Sequence, residues 1–483
     1  MMGQPTFFWH DYETWGADPR RDRPAQFAGI RTGLDLEVTG DPVMFYCAPS
    51  DDVLPVPEAC LITGLTPQKA RAEGVNEAAF FDAVHRELAQ PGTCGAGYNS
   101  LRFDDEVTRF GLYRNFFDPY AREWQHGNSR WDIIDLVRVA RALRPEGILW
   151  PRRDDGAPSF RLEELTTANG IAHEGAHDAL VDVYATIALA RLVRDRQPRL
   201  YDYVFEHRGK RETAALLDWR AGTTVLHVSR RIPAELGCIS PVIPLAPHPR
   251  NRNSVICFDL RHDPDPLFSL DADVLRERLY TPSAELGEGE ARVGLKEVHL
   301  NKCPVLVPLN TLTPEAAREW QLDMDAARER QQRLAGAREI RGKLSAIYEA
   351  EGFGPVTDPD LALYDGFLSD GDRRLAAQVR QANPAELAEM RPAFDDPRLA
   401  ELLFRYRARN WPDSLSGRDE ASWRAWCRSH LVDGDEGSSI TLAAYGERLR
   451  SLRDEMAAGD PKAGILDALE EWPGMIGLSA ASP

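Results

Sequence analysis

The chain has 483 residues, of which 43% are hydrophobic, so it is too long for one ordinary domain and predicts two to four. A formal net charge of −18 at pH 7 argues against a protein that coats nucleic acid over its whole surface, although one basic groove can lie on an acidic surface. Seven cysteines without a C-x-x-C pair, and the lack of an apolar run of about 18 residues, disfavour a disulfide framework, a structural zinc site and a membrane span, and predict a cytoplasmic protein.

Residues 5–190 have the pattern of an α/β domain. The apolar and aromatic run TFFWHDYET predicts a strand, and residues 36–38 and 43–46 predict two more on either side of a turn. Residues 96–98 predict a further short strand. Apolar residues at helical spacing predict helices at 76–88, 104–113, 131–142, 160–169 and 177–193.

The pattern of apolar and polar residues changes after residue 197. Short β-rich runs at 223–228, 240–245, 254–260 and 305–309 predict a small barrel or sheet domain, and the Ala-, Glu- and Arg-rich stretch 313–350 predicts helix. Helical patterns with Asp, Gly and Pro breaks predict an all-α domain from about residue 358. We therefore expect domains at 1–198, 199–352 and 356–478.

The run Asp11-Tyr12-Glu13 carries the first chemical signal. Residues two apart on a strand project to the same face, so two carboxylates converge there. Such carboxylates repel each other and raise each other's pKa, and cations that prefer oxygen ligands, such as Mg²⁺ and Mn²⁺, relieve the repulsion. Because a D-x-E triplet also occurs by chance in many chains, the pair alone is weak evidence for a metal site.

Two further signals lie at predicted helix starts. Asp104 follows an aromatic residue and either adds a third carboxylate or caps its own helix. His177 and Asp182 are five residues apart, roughly 140° around a helix, so His177 would act from just before the first turn. The alternatives are an exposed histidine at a helix start and a solvated carboxylate.

Taken together in this order, D-x-E, N-x-x-x-F-D and H-x₄-D resemble the motifs of the DEDDh 3′→5′ exonucleases, which have a ribonuclease H-like fold. The resemblance implies that Asp11, Glu13, Asp104 and Asp182 are metal ligands and that His177 is the general base. The segments HDYETWG, GYNSLRFDDEVTR, YRNFFDPY, HLNKCPVL and LLFRYRARN are more specifically similar to the bacterial exonuclease I family. That family has an α/β ribonuclease H-like exonuclease domain, an SH3-like β-barrel domain and an all-α C-terminal domain.

The resemblance implies 3′→5′ degradation of single-stranded DNA to nucleoside 5′-monophosphates by a monomer, with two Mg²⁺ ions (Mn²⁺ also being possible), in DNA repair and recombination. Substrate contacts implied by position are Glu13, Arg161, Arg109, Tyr120, Trp124 and Arg138. Arg161 could equally be a surface arginine. For the aromatic residues Trp131 and Phe116 we expect a place in the core.

Members of the exonuclease I family also bind the acidic, Phe-terminated tail of single-stranded DNA-binding protein (SSB). Arg144 and Tyr203 match positions in the pocket for that tail. An arginine beside an apolar slot suits a C-terminal carboxylate and a phenyl group.

Two other functions would account for parts of the sequence. A DEDDh nuclease that acts on RNA ends would usually have a single domain, so the long extension beyond residue 198 argues against it. A non-catalytic nucleic-acid-binding protein with a decayed nuclease domain would have lost some of the five motif residues, and all five are present.

Overall fold

The computed structural model describes residues 4–173, 178–282, 285–287, 290–335, 337, 339–349, 354, 356–434, 437–457 and 459–478. The chain forms two compact units. The first contains residues 1–129, 174–184 and 355–483, and the second contains residues 130–173 and 185–354. Among the helices in the described ranges, none is long and apolar enough to cross a membrane.

Strands and helices follow one another in a fixed order along the chain. The strands are β1 (Thr6–Thr14), β2 (Pro24–Thr32), β3 (Val43–Tyr46), β4 (Thr93–Gly97), β5 (Ser129–Asp132), β6 (Val225–Val228), β7 (Ile239–Pro247), β8 (Ser254–Asp259), β9 (Leu295–His299) and β10 (Val305–Pro308). The helices are α1 (Pro57–Thr63), α2 (Pro67–Glu73), α3 (Glu77–Leu88), α4 (Asp104–Arg114), α5 (Ile133–Leu143), α6 (Leu162–Ala168), α7 (Ala179–Arg196), α8 (Pro198–Glu206), α9 (Lys210–Leu216), α10 (Asp265–Ser269), α11 (Ala272–Tyr280), α12 (Pro314–Glu319), α13 (Met324–Ala335), α14 (Ile340–Glu349), α15 (Asp370–Gln381), α16 (Pro384–Glu389), α17 (Arg398–Asn410), α18 (Gly417–Arg428), α19 (Leu442–Glu455) and α20 (Ala463–Met475).

The sheet of the first unit is mixed. Its strands run in the order β3-β2-β1-β4. β1 pairs antiparallel with β2, with Glu13 opposite Gln26, and parallel with β4, with Phe7 opposite Cys94. A parallel pair needs a long crossover, which the helices α1, α2 and α3 provide between β3 and β4.

Helices α3 and α4 pack on the face of β1 that Tyr12 occupies. Phe80 and Phe81 of α3 and Val107 of α4 form a buried cluster with Tyr12 and other residues of the strands. Any side chain at Gly111 of α4 would collide with the ring of Phe81, so the close approach of the two helices requires glycine there. This packing fixes the start of α4, and with it Asp104, against β1.

Helices of the C-terminal segment complete the core of the first unit. Trp472 of α20 and Leu449 of α19 pack with Cys60 of α1, and α17 packs with α3. A buried ionic network joins the same elements: Arg409 of α17 contacts both Asp52 and Asp360 at 2.9 Å.

The second unit contains a five-stranded antiparallel sheet in the order β10-β6-β7-β8-β9. One face of this sheet packs with α11, α13 and α14 through Ile256, Phe258 and Leu344, all almost fully buried. The predicted small β domain is therefore present.

Several predicted elements need correction. Residues 36–38 are not a strand, because Leu36 has a left-handed backbone (φ 69°) and Val38 makes only an isolated bridge to Thr32. The helical prediction for 313–350 is confirmed in the part of the stretch that the structure describes, which forms α12, α13 and α14 in succession. Trp131 belongs to β5, and α5 begins after it at Ile133. β2 and β9 were not predicted.

Candidate active site

Strand β1 and helix α7 bring three carboxylates together. Asp11 and Glu13 project from the same face of β1, as the strand alternation predicts, and Asp182 comes from the first turn of α7. Carboxylate oxygens of Asp11, Glu13 and Asp182 lie within 4.8 Å of one another. A cluster of this size can hold a divalent cation.

Asp104 is held beside this cluster by the backbone of β1. Its Oδ1 accepts a hydrogen bond of 3.1 Å from the N–H of Tyr12, which lies between Asp11 and Glu13. The Tyr12 hydroxyl bonds the Thr108 hydroxyl at 2.9 Å, and Thr108 in turn donates to the carbonyl of Asp104 at 2.7 Å. Asp104 is thus the first residue of α4, after the N-cap residue Phe103, and its carboxylate accepts from the backbone of β1.

The electrostatics of the cluster favour a bound cation. Burial, together with the charges of Asp104, Glu13 and Asp182, raises the pKa of Asp11 well above its usual range. Burial and the charges of Asp182, Asp104 and Asp178 raise the pKa of Glu13 to about 9. A donor set made of carboxylate oxygens fits a hard divalent ion, which would neutralise this repulsion.

Sequence reasoning missed Gln26, which lies opposite Glu13 in the pairing of β1 with β2. Gln26 is 2% exposed in β2, and its Oε1 accepts a hydrogen bond of 3.4 Å from the N–H of Ala179 at the start of α7. A polar side chain inside the otherwise apolar run PAQFAGI is the signal that could have identified it.

The predicted general base, His177, lies outside the described residues. The described chain resumes at Asp178, whose Oδ1 accepts from the N–H of Leu180 at 3.0 Å. The assignment of His177 as general base therefore stays a prediction.

Arg109, Tyr120 and Trp124 lie in the first unit. The Arg109 guanidinium, 4% exposed, donates twice to Glu123 (2.7 and 2.9 Å) and once to Glu106 (2.7 Å), and its Cζ lies 5.6 Å from the ring centroid of Tyr120. Trp124 is 66% exposed. Arg109 is therefore buried, paired with the carboxylates of Glu106 and Glu123, and close to the ring of Tyr120.

Two further exposed aromatic residues, Tyr364 and Phe367, contact this group of residues and were not selected from the sequence. The hydroxyl of Tyr364 donates to Glu106 at 2.6 Å, and the ring of Phe367 meets that of Tyr120 edge-on, with centroids 5.8 Å apart. Phe367 is 82% exposed. Tyr120, Trp124, Tyr364 and Phe367 are called the aromatic surface below.

Arg138 and Arg161 lie in the second unit. Arg138 of α5 donates to Asp135 at 2.6 Å, and its guanidinium lies 5.8 Å from the ring centroid of Phe160. Arg161 precedes α6, and its side chain is 73% exposed, with Glu164 at 3.7 Å. Of the two arginines, Arg161 is the more accessible to a ligand.

The candidate partner residues also belong to the second unit. The Tyr203 hydroxyl donates to the carbonyl of Leu306 at 3.2 Å, and its ring stacks on His207 with centroids 3.9 Å apart. Arg144 donates to the carbonyl of Thr311 at 3.1 Å, so both side chains reach the segment that contains β10 and the turn after it. Tyr203 lines a small pocket with Val204.

The core predictions for the two other aromatic residues are confirmed. Trp131 is 2% exposed and packs against Tyr201 and Phe205, and Phe116 is 3% exposed and packs against Tyr406.

Family models match the chain in three segments. A model described as Exonuclease matches residues 8–190, one described as Exonuclease I SH3-like domain matches 208–350, and one described as Exonuclease I C-terminal domain matches 357–476. With the mixed sheet and the acidic cluster, these matches define the class of exonucleases that carry an acidic site for divalent metal. They confirm the predicted α/β, SH3-like and all-α domains.

Similarity to a relative over nearly the whole chain identifies the family within this class. The chain is 49% identical over 97% of its length to exodeoxyribonuclease I of Escherichia coli, 98% of which is covered. The chain belongs to the exodeoxyribonuclease I family.

Solved structures agree with this assignment. Exonuclease I from Methylocaldum szegediense is 51% identical with a TM-score of 0.94, and E. coli exonuclease I in complex with a dA16 oligonucleotide is 49% identical with a TM-score of 0.93. Each covers 98% of this chain and is itself covered completely. A further structure, of SSB/Exonuclease I in complex with an inhibitor, is 47% identical with a TM-score of 0.91 and likewise covers 98% of this chain and is covered completely.

Proposed function

We propose that the chain degrades single-stranded DNA from its 3′ end and releases nucleoside 5′-monophosphates, in DNA repair and recombination. The observation that carries the hydrolytic part of the proposal is the convergence of Asp11, Glu13 and Asp182 within 4.8 Å, and the proposal as a whole also rests on the family. It is supported by 49% identity over 97% of the chain to an exodeoxyribonuclease I, and by the complex of that E. coli enzyme with a dA16 oligonucleotide.

The carboxylates of Asp11, Glu13, Asp104 and Asp182 would hold two Mg²⁺ ions, or Mn²⁺. Such ions supply charge neutralisation of the scissile phosphate and of the leaving oxygen when they are bound. Asp104 is oriented for this by the N–H of Tyr12, and Asp182 by its place in the first turn of α7. His177 would take the proton from the attacking water, which an imidazole with an ordinary pKa of about 6.5 can do near neutral pH.

Recognition of a single strand needs cations for phosphates and aromatic faces for bases. The aromatic surface offers exposed rings at Trp124 and Tyr364, and we assign Tyr120 and Trp124 to base stacking. Arg109 would support this surface from below, since its guanidinium is paired with Glu106 and Glu123. Glu13, Arg138 and Arg161 are proposed substrate contacts in addition.

The tail of SSB is the proposed protein partner, with Arg144 and Tyr203 in its pocket. The structure of SSB/Exonuclease I, at 47% identity, supports this assignment. A cytoplasmic location fits the seven cysteines, all of which are free thiols.

Labelled oligonucleotides test the proposal against its two alternatives. Single-stranded DNA should be degraded with Mg²⁺, remain intact in EDTA, and be degraded again when Mg²⁺ is restored, while single-stranded RNA of the same sequence remains intact. Equal degradation of the RNA would favour an RNA-processing nuclease. Intact DNA with Mg²⁺ would favour a non-catalytic binding protein.

A further inference from the structure

Gln26 lies on the face of the first unit's sheet that carries Glu13. In the antiparallel pair of β1 and β2 it is directly opposite Glu13, and directly opposed side chains lie on the same face. Its neighbours Ala25 and Phe27 are buried and apolar, and Gln26 itself is 2% exposed. A buried amide is costly unless it is hydrogen-bonded, so its partner shows what this side chain does.

That partner is the first turn of α7. The Gln26 Oε1 accepts from the N–H of Ala179, which is 0% exposed, with 3.4 Å between nitrogen and oxygen. The first N–H groups of a helix have no acceptor inside the helix, so this one would otherwise be buried without a partner. Asp178 accepts from the next N–H, that of Leu180, at 3.0 Å.

The contact joins two carboxylates of the cluster through rigid elements. The ladder of β1 and β2 fixes Gln26 relative to Glu13, and the hydrogen bond fixes the start of α7 relative to Gln26. Asp182 follows within the same helical turn, its own N–H donating to the carbonyl of Asp178 at 3.1 Å. The repulsion between the carboxylates of Glu13 and Asp182 would separate β1 from α7, and the Gln26 hydrogen bond opposes that movement.

We propose that Gln26 is a positioning residue that sets the separation of Glu13 and Asp182 for a divalent cation. It reaches the site through α7. This inference rests on the proposed function of the carboxylates as metal ligands. Changes in residues that orient metal ligands typically lower metal affinity or activity by about 10–100-fold.

The test is Gln26→Met, which keeps the length of the side chain and removes the acceptor. Mn²⁺ binding to the full chain without DNA, followed by calorimetry, should weaken by at least about 10-fold. The Mg²⁺ concentration for half-maximal degradation of single-stranded DNA should rise by a similar factor, while kcat at saturating Mg²⁺ approaches that of the wild type. A merely structural loss would lower kcat or the melting temperature without this shift.

A matched control is Gln68→Met. Gln68 also bonds a backbone group of the first unit, its Nε2 donating to the carbonyl of Ala468 in α20. That variant should lose a comparable side-chain hydrogen bond and keep the Mn²⁺ affinity of the wild type. Gln26→Glu retains an acceptor for the Ala179 N–H and should bind Mn²⁺ at least as tightly as the wild type.

The outcomes separate this inference from the proposed function. If the wild type binds Mn²⁺ and Asp182→Asn abolishes binding, but Gln26→Met binds like the wild type, Gln26 has no positioning role. Equal weakening in Gln26→Met and Gln26→Glu would also overturn it. If Gln26→Met does not fold, Gln26→Asn, whose amide is one methylene shorter, should show the same loss, and wild-type binding by it would overturn the inference. Failure of the wild type to bind Mn²⁺ would instead contradict the metal site itself.

Discussion

At the scale of single residues, the carboxylates of Asp11 and Glu13 are held in the protein against their own repulsion. The pKa of Glu13 in the folded protein is about 9, against an ordinary value of 4.5, and the pKa of Asp11 is raised in the same direction. The folded state therefore binds more protons than the unfolded chain between these two values. Without metal, stability should fall as the pH rises through this window.

Replacement of Glu13 by Gln should remove the part of this pH-dependent loss of stability that Glu13 causes. Each pKa unit corresponds to about 1.4 kcal/mol, so near pH 8 the metal-free variant should gain at least about that much unfolding free energy over the wild type. Mg²⁺ should raise the melting temperature of the wild type more near pH 8 than near pH 6, because binding displaces protons, and should barely change that of the variant. A metal-free variant less stable than the wild type near pH 8 would contradict the account.

His177→Ala tests the assigned general base. Because removal of a general base typically costs about 10²–10⁴-fold in rate, kcat should fall within that range. Mn²⁺ binding measured without DNA should be unchanged, since His177 is not a proposed ligand. Full activity of the variant, with normal metal binding, would show that another group accepts the proton.

Substitution of Arg109 or Trp124 should lower DNA affinity without changing its salt dependence, unlike substitution of a residue that binds a phosphate. Arg109→Met should weaken binding because Tyr120 is no longer supported, and Trp124→Ala should cost about 1–3 kcal/mol of stacking. In a plot of log affinity against log salt concentration, each phosphate that a protein neutralises on a single strand contributes about 0.7 to the slope. Neither variant should change this slope. A slope change of that size in Arg109→Met would mean that the guanidinium binds a phosphate directly.

Local sequence patterns were sufficient to predict some residues of the site, but not the residues that hold them in place. Strand alternation places Asp11 and Glu13 on one face, and helical position places Asp182 one turn into α7. The pairing of Gln26 with Ala179 depends on strand register and helix docking across 153 residues, and that of Tyr364 with Glu106 spans 258. Periodicity carries no information about such pairings.

At the scale of elements, the predictions succeeded where one periodicity dominates and failed where the backbone turns. β1, α3 and α4 lie where apolar spacing predicted them. β2 was missed because it is buried along nearly its whole length and shows no polar alternation. The false strand at 36–38 has apolar alternation, but Leu36 adopts a left-handed backbone that ends any extended run.

A buried ionic network ties α17 to the remainder of the first unit. Arg409 contacts Asp52 and Asp360, Arg405 contacts Asp360 at 2.9 Å, and Arg23 contacts Glu77 at 2.6 Å. Burial alone would raise the pKa of Asp360, but Arg409, Arg23 and Arg405 outweigh it and hold that pKa well below its usual range. Charges this deeply buried depend on every partner being present.

Arg409→Met should therefore destabilise the first unit strongly. It leaves the carboxylates of Asp52 and Asp360 buried without their main partner, and removal of one member of a buried pair costs about 3–5 kcal/mol. The measurement is the free energy of unfolding from urea titration. Arg424→Met is the control, because Arg424 of α18 is 76% exposed and its pair with Glu420 should contribute below about 1 kcal/mol. Similar small losses in both variants would show that the network does not stabilise the unit.

At the scale of the whole molecule, the three domains predicted along the sequence do not coincide with the two compact units of the fold. The three predicted segments 1–198, 199–352 and 356–478 correspond in order to the exonuclease, SH3-like and C-terminal matches, and their limits stay a prediction. In space, residues 355–483 join residues 1–129 in one unit, while 130–173 belong with the SH3-like segment. Shifts in composition show where the secondary-structure pattern changes along a chain, but they cannot show which segments pack together.

Substrate and polarity are properties of the whole molecule that the five motif residues do not define. In the proposed mechanism, Asp11, Glu13, Asp104, His177 and Asp182 would carry out metal-dependent hydrolysis of a phosphodiester. The choice of DNA, and of its 3′ end, is inferred from the exodeoxyribonuclease I family and from the aromatic surface.

Digestion of one single-stranded DNA oligonucleotide labelled either at its 3′ end or at its 5′ end, with Mg²⁺, tests this account most directly. The 3′ label should appear at once as a mononucleotide, and the 5′ label should remain on a strand that shortens progressively. Immediate release of the 5′ label, or internal fragments from both substrates, would contradict a 3′→5′ exonuclease.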